Sequence, residues 1–542
     1  MPRFRFVSVA GVAMVVSALA GGWFGRGASA TQDRLQDYRV FTAALDAIES
    51  TYVDEVKSDR LVYSAIGGML QTLDPHSSFM DPRTYTQLRE RQEGRYYGLG
   101  ISIIVLDGDI TVMNLFEGSP AYKKGIRRGD VIARIEGESA KGWTADQAVK
   151  KLRGPKGTTV HVSIKRQGYD QLIELDVPRD EINMPSIPAE FMIGADTGYI
   201  RLQDFNETTG NELDRALRVL AGSGMKRLVL DLRHNPGGPL EQAIRVANAF
   251  LPQGQMIVFT RGRVPNSDQD FYATEKSAFT NIPMVVLVNR NSASASEIVA
   301  GALQDHDRAL IVGETTFGKA LVQSVYRISE GAGLALTTAR YYTPSKRLIQ
   351  RPWDGTFDEY LTYTIREQRP ERPHAPSELR YTDGGRKVYS GGGIEPDERM
   401  DGPIEGFDPA LLGRRLYAAQ LFATYAQRYT AEGDTRIPLP GVNRRVVKRG
   451  FVVDDAMLQD FKGFVRAESP RLKSTDESFE RDLPFIRAMI RYEIDLALFG
   501  VSEARRDLVA SDPQAQFALK LFPEAEGLLA LRTGKGIKAG GH

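Results

Sequence analysis

The sequence predicts a multidomain α+β and α/β chain, and three observations carry that expectation. Apolar residues recur at helical spacing before residue 95 and again beyond Pro409. Short β-rich runs fill the stretch from Tyr96 to about Arg166, and between 171 and 400 apolar strands alternate with helical patterns. At 542 residues the chain also exceeds one ordinary domain. The changes of texture divide it into 1–30, a leader; 31–95, an N-terminal helical region; 96–170, a β-rich module; 171–400, an α/β core with a polar, proline-rich insertion at 351–386; and 401–542, a C-terminal helical region.

Composition narrows the function. A hydrophobic share of 42% and a charged share of 26% are those of a globular protein. The formal net charge of +1 gives no bulk attraction for nucleic acid, which is not an expected partner. Cysteine is absent, which excludes disulfides, thiol catalysis and cysteine metal sites. At the N-terminus Arg3 and Arg5 precede an apolar run from Phe6 to about Ala20, and Ala28-Ser-Ala30 supplies small residues for a signal peptidase. That order predicts an exported chain whose mature part begins at Thr31. An uncleaved membrane anchor is the competing reading, because the run extended through Trp23-Phe24 is about long enough to span a bilayer. Both place the working part in the periplasm or cell envelope.

In order along the chain, Val40, Ala44, Ile48 and Tyr52, then Leu61, Ala65 and Leu70, mark the first helices. Asp74-Pro-His-Ser-Ser-Phe-Met-Asp-Pro82 interrupts them, and Tyr85 to Arg91 resumes the pattern. The β-rich module contains a glycine loop running into a strand, Tyr96-Tyr-Gly-Leu-Gly-Ile101. It also contains Ser119-Pro-Ala-Tyr-Lys-Lys-Gly-Ile-Arg-Arg-Gly-Asp-Val-Ile132, a short helix followed by a Gly-Asp turn and a strand. Together these resemble a PDZ domain of the circularly permuted bacterial type. Such a module would receive a peptide's terminal carboxylate at the loop of Gly98, Leu99, Gly100 and Ile101, with the peptide adding a strand beside Ile101 to Ile103 and the helix near Ala148 forming the other wall.

Within 171–400, Gly198 to Leu202, Leu228 to Leu232 and Met284 to Val288 read as strands and Asn211 to Leu220 as a helix. Beyond Pro409, Leu412, Leu416 and Ala419, then Leu458, Phe461 and Val465, then Phe485, Met489 and Leu496 predict three or more amphipathic helices. So much amphipathic helix needs apolar burial, which favours a homo-oligomer, with an adaptor protein or the core itself as the alternatives. The tail after Arg532 reads as disordered.

Catalytic chemistry is sought first among six histidines. His161, His374 and His542 fall in the module, the insertion and the tail; His76, His234 and His306 remain, and none stands beside a G-x-S-x-G serine or in an H-E-x-x-H metal motif. His306, within Gln304-Asp-His-Asp-Arg308, reads as a solvated turn residue. A serine–lysine pair is the other route, because a lysine with a lowered pKa can take the proton of a hydroxyl. Asn291-Ser-Ala-Ser-Ala-Ser-Glu297 follows the strand Met284 to Val288 and enters a helix, so Ser294 would stand at a helix N-terminus with the Ala295 N–H as an oxyanion donor. Taken alone, the three serines read better as helix caps than as a catalytic site. Thr316-Phe-Gly-Lys319 then opens a β-rich run in which Lys319 and Gln323 share a face, so that Gln323 can orient the amine. Lastly, Leu228-Val-Leu-Asp-Leu-Arg-His-Asn-Pro-Gly-Gly238 ends a buried strand in a bare-backbone turn, where Gly237 or Gly238 would be the second oxyanion donor.

Taken in chain order, Leu73-Asp-Pro-His-Ser-Ser78, the PDZ-like loop, Gly198-Tyr-Ile-Arg-Leu202, Asp231-Leu-Arg-His-Asn-Pro-Gly-Gly238, Ser292-Ala-Ser-Ala-Ser-Glu297, Gly313-Glu-Thr-Thr-Phe-Gly-Lys319, Tyr341-Tyr-Thr-Pro-Ser345 and Gly391-Gly-Gly-Ile-Glu-Pro-Asp397 resemble the carboxy-terminal processing (tail-specific) proteases of bacteria and chloroplasts. The resemblance covers roughly residues 35 to 400 and says little of the helical region beyond them. It implies a crotonase-like ββα protease core, a serine endopeptidase that needs no cofactor or metal, and protein or peptide substrates with exposed C-terminal tails. It implies Ser294 as nucleophile, Lys319 as general base and Gln323 as the residue that positions the lysine. Ala320 stands where the family commonly has glycine, and His234 where Asn or Asp is more usual. A catalytically silent, PDZ-bearing adaptor of the cell envelope is the alternative.

Overall fold

The computed structural model describes residues 35–166, 169–328, 331–353, 357–365, 373–400, 411–431, 447–472 and 474–532. The leader expected at 1–30 and the tail after Arg532 lie outside the described residues. Among those described, no helix is long and apolar enough to cross a membrane.

The chain separates into two units, the smaller made of residues up to Pro82 together with 325–336. It contains a helix over 35–51, whose Leu35, Tyr38, Phe41 and Ile48 are exposed, and the helix Ser58–Gln71. The Asp-Pro-His-Ser-Ser stretch is a side-chain-stapled turn. The Asp74 carboxylate accepts the N–H groups of His76 and Ser77, each at 2.8 Å, and the Ser77 hydroxyl at 2.7 Å. It leads into the strand Ser78–Met80, which pairs antiparallel with Gly333 to Ala335 and packs Phe79 4.8 Å from the ring of Tyr63.

In the larger unit, the β-rich module is an antiparallel sheet ordered Ile101–Leu106, Asp109–Leu115, Val131–Ile135, Thr159–Lys165, Ile173–Pro178. The helix Ala145–Leu152 starts at a reciprocal cap between Thr144 and Gln147 and buries Ala148 and Leu152 against Leu99, Ile110, Val160 and Val162.

The α/β core is a six-stranded sheet ordered Ala189–Ile193, Thr197–Arg201, Arg227–Asp231, Met284–Val288, Leu310–Gly313, Glu398–Arg399; the first pair is antiparallel and the rest parallel. Its central strands are continuous apolar runs, as burial on both faces requires. Alternation decides the partners. Leu228, Leu230, Met284, Val286 and Ile311 face the helices Thr209–Gly222, Leu240–Asn248 and Ala295–Asp305. Val229, Val285, Leu287, Leu310 and Val312 face the opposite way, onto Val509, Ala518, Phe522 and Leu528.

That second contact identifies what the C-terminal helices cover. Leu411–Ala418, Leu421–Ala431, Asp455–Glu468 and Leu483–Phe499 bury Leu416, Phe422, Phe461 and Ile490 among themselves, while Val501–Ser511, Pro513–Lys520 and Phe522–Arg532 lie on the sheet. The apolar burial that the sequence offered to a partner or a second copy is thus found within the chain. The same helices touch the β-rich module, where Arg128 ion-pairs with the buried Glu493 and Gly129 abuts Gln427.

His306 departs from the solvated turn expected of it. It is buried, with Nδ1 2.7 Å from the Asp383 carboxylate and Nε2 2.7 Å from the Met256 carbonyl. The insertion folds back over the end of helix Ala295–Asp305, and the Asp383 N–H donates to the Asp305 carbonyl at 2.8 Å.

Candidate active site

Three serines follow the strand Met284–Val288, and the structure separates them. Ser292 and Ser296 are fully buried, and their hydroxyls donate to the carbonyls of Leu232 at 2.8 Å and Asn235 at 3.0 Å. Ser294 is only half-buried, and its hydroxyl makes no cap hydrogen bond to the helix it precedes. Its backbone has φ 55° and ψ −112°, left-handed space that a side chain rarely enters. It immediately precedes the helix Ala295–Asp305, and the Ala295 N–H has no acceptor among the described residues. The site therefore presents a half-buried hydroxyl beside a free amide at the positive end of a helix.

The turn after Arg227–Asp231 meets this serine from the other side. Gly237 has φ 91°, and a Cβ there would lie 2.8 Å from the Ala295 nitrogen and 2.9 Å from the Ser294 Cβ. Only glycine fits that approach. The Gly237 N–H, however, donates to Asn235 Oδ1 at 2.9 Å, whereas the Gly238 N–H meets no described acceptor. Gly238 is fixed from behind, where a Cβ would sit 2.1 Å from the Phe205 carbonyl. The Ala293 N–H donates to the Asn235 carbonyl at 2.9 Å and ties the two turns together.

Lys319 is half-buried just ahead of the strand Leu321–Arg327, and its Nζ donates to Gln323 Oε1 at 3.0 Å. No hydrogen bond joins Nζ to the Ser294 hydroxyl in this state. The lysine turn is backed by the insertion. The Ala320 N–H donates to Gln350 Oε1 at 2.8 Å, and Gln350 Nε2 donates to the Tyr360 hydroxyl at 2.9 Å. Tyr360 and Tyr363 meet the ring of Phe317 edge-on at 5.5 and 6.4 Å.

Two further residues, to which the sequence assigns no such role, tie the Ser294 and Lys319 turns together. The fully buried carboxylate of Glu297 accepts four hydrogen bonds, two on each oxygen. The Ser294 N–H (2.8 Å) and Lys319 N–H (2.9 Å) reach Oε2, and the Thr316 hydroxyl (2.5 Å) and Gly318 N–H (2.7 Å) reach Oε1. Four donors call for an ionised acceptor. Burial nevertheless raises its pKa above the ordinary glutamate value, and the hydrogen bonds only partly offset this. The buried Tyr341 hydroxyl lies 3.1 Å from the Ser294 carbonyl and 2.5 Å from that of Lys319. Glu297 resembles an ordinary capping acid in the sequence, three residues into a helix. Its second role depends on a turn the local pattern does not reveal.

Beneath the glycine turn, Asp231 accepts the Tyr199 hydroxyl, Arg201 and Arg233, each at 2.7 Å. Burial alone would raise its pKa, but the two guanidiniums and the phenol prevail and hold it far below the usual carboxylate range. Among the described residues no group of His, Asp and Glu is arranged to hold a metal.

The PDZ-like loop places its four residues differently. Gly98 ends the strand Arg95–Gly98, paired with Asp180–Asn183; Leu99 buries its side chain in the module's core; Gly100, at φ 80°, presses on Ser119; and Ile101 opens the strand beside the helix Ala145–Leu152.

Known families match the chain segment by segment. Residues 196–356 match the model of peptidase family S41, 86–165 that of the PDZ domain, and 24–84 that of the N-terminal domain of the activating protease CtpB. The chain is 41% identical over 314 residues to a carboxy-terminal-processing protease of Bartonella bacilliformis, covering 57% of this chain and 72% of that one. It is 37% identical over 309 residues to the carboxy-terminal processing protease CtpA of Bacillus subtilis, covering 57% and 66%. A solved photosystem II D1 C-terminal processing protease is 29% identical, covering 67% of this chain and 92% of that one with a TM-score of 0.34. By its S41 and PDZ segments and by its identity across most of a curated relative, the chain belongs to the carboxy-terminal processing proteases of peptidase family S41.

Proposed function

We propose that this chain is an extracytoplasmic serine endopeptidase that receives protein C-terminal tails on its PDZ domain and cleaves with a Ser294–Lys319 pair. The observation that carries the reading is the shared suspension of these two residues from Glu297 and Tyr341, which ties the two backbones to common partners. Family membership supports the peptidase activity, and the PDZ match supports tail capture. The signal-like N-terminus supports export. We keep the division into leader, helical region, PDZ domain, protease core and C-terminal helices as the working map.

In this mechanism substrate draws Nζ from Gln323 towards the Ser294 hydroxyl, since the two are not hydrogen-bonded beforehand. The neutral amine takes the hydroxyl proton as Oγ attacks the peptide carbonyl, and Gln323 re-engages the resulting ammonium. The tetrahedral oxyanion rests on the Ala295 and Gly238 N–H groups; Gly237 contributes its close approach, its own N–H being held by Asn235. Lys319 returns the proton to the leaving amine, and water then releases the acyl-enzyme by the same path. No step requires a metal or organic cofactor.

The test is cleavage of an unstructured protein bearing an exposed tail, by the mature chain and by Ser294→Ala. Turnover that disappears in the variant supports the proposal, and equal turnover by the two overturns it. Deleting residues 96–170 should impair processing of a tail-bearing substrate more than of a tail-less one; identical effects would remove the tail-capture role.

A further inference from the structure

The C-terminal helices do more than cover the sheet. Arg233, two residues beyond the strand Arg227–Asp231, is nearly buried between two acids from distant parts of the chain. On one side Nε and Nη2 grip Asp231, at 3.0 and 2.7 Å. On the other, Nη2 lies 2.6 Å from Asp512 Oδ2 and Nη1 donates to Gln514 Oε1 at 2.9 Å. Asp512 spends its second oxygen capping the helix Pro513–Lys520, accepting the Gln514 and Ala515 N–H groups at 2.9 and 3.2 Å. Gln514 Nε2 donates to the Met400 carbonyl at 2.9 Å, so the same residue also ties in the end of the outermost core strand.

Arg233 begins the turn that carries the oxyanion glycines. Three residues downstream of it matter for the geometry. The His234 N–H donates to Asn289 Oδ1 at 2.8 Å, the Asn235 carbonyl accepts Ala293 N–H and the Ser296 hydroxyl, and Gly237 abuts Ser294. A shift of Arg233 is therefore passed directly to the position of the Gly238 amide relative to Ala295. Small displacements of such donors are costly to catalysis.

We infer that the C-terminal helical region completes the active site, with Asp512 acting as a positioning residue for the oxyanion turn through Arg233. The inference rests on the Ser294–Lys319 reading for its catalytic consequence. Its structural consequence, a stiffened turn over 232–240, can be read separately.

The experiment uses the full mature chain carrying Asp512→Asn. Asparagine keeps the helix cap but turns an amide donor or a neutral carbonyl towards Arg233 in place of the charge. Expected are a kcat lowered about tenfold with KM for a tail-bearing peptide unchanged, a thermal midpoint within about 2 °C of the parent, and faster amide exchange confined to residues 232–240. Asp512→Glu should recover part of kcat. Parental kcat with parental exchange overturns the inference. So does a kcat loss that arrives with a raised KM and a collapsed thermal midpoint, since a purely structural role predicts that pattern. If the Ser294→Ala control retains turnover, the serine–lysine reading fails, and the exchange of 232–240 alone then decides the role of Asp512.

Discussion

Ser294 and Lys319 are held by the same two partners. Each donates its backbone N–H to Oε2 of Glu297, and each presents its carbonyl to the hydroxyl of Tyr341. The two turns are thus tied to each other through Glu297 and Tyr341. In the proposed mechanism only the two side chains then need to move during proton transfer.

Glu297→Gln places an amide NH2 against donors that need an acceptor, so at least two of the four hydrogen bonds are lost. We expect kcat to fall by about a hundredfold or more, with KM for a tail peptide changed little. Tyr341→Phe, which removes one hydroxyl from a buried site, should cost about tenfold in kcat and about 1 kcal/mol in stability. Steady-state kinetics with urea melts separate the two effects.

Acid should silence the enzyme before it unfolds it. The Glu297 pKa is raised by burial, so the folded chain takes up this proton at a pH where an unfolded glutamate would not. Protonation at this site adds to folded-state stability as pH falls through the raised value, and the contribution is lost as pH rises through it. The clamp, by contrast, needs the ionised form. Activity is therefore expected to drop reversibly at a pH above the ordinary glutamate range while the circular dichroism signal persists. A coincident loss of signal and activity would count against the clamp.

Lys319→Arg preserves charge and reach but not the ability to shed a proton, because a guanidinium stays charged in proteins. Loss of turnover at every pH up to about 10 is expected, with substrate binding retained. Gln323→Ala should be milder, about tenfold, and should alter the basic limb of the pH–rate curve if Gln323 holds the lysine as the distances indicate.

Gly237→Ala meets two obstacles at once, a φ of 91° and a Cβ within 2.9 Å of the Ser294 Cβ. The backbone conformation alone costs about 1–2 kcal/mol. Activity should fall by about a hundredfold or more as the oxyanion amides separate. Thermal melts and an active-site serine label read the two consequences independently.

Much of this was legible in the chain itself. The apolar run Met284 to Val288 followed by capping residues marks a strand handing over to a helix, and the strand Met284–Val288 and helix Ala295–Asp305 are found there. Bare-backbone turns announce themselves through Pro-Gly-Gly. The clamp was not legible, because Glu297 satisfies a local rule as a capping acid and the motif Tyr341-Tyr-Thr-Pro-Ser345 carries no sign of what its tyrosine bonds. The left-handed backbone of Ser294 was equally hidden; serine gives no local signal for it. His306 was misread because polar neighbours suggest solvent, and only the return of the insertion buries it. Amphipathic spacing in the C-terminal helices shows that an apolar face exists, yet cannot distinguish a covering surface in the same chain from one in another.

That covering surface sets a schedule. The sheet beneath Ser294 keeps one face bare until the segment containing Val509, Phe522 and Leu528 has been made, well after Ser294 itself. A chain made from N- to C-terminus therefore carries the Ser294, Lys319 and glycine turns for a time beside a sheet with only one face covered. These helices therefore close the second face of a sheet whose first face is covered by residues made before them.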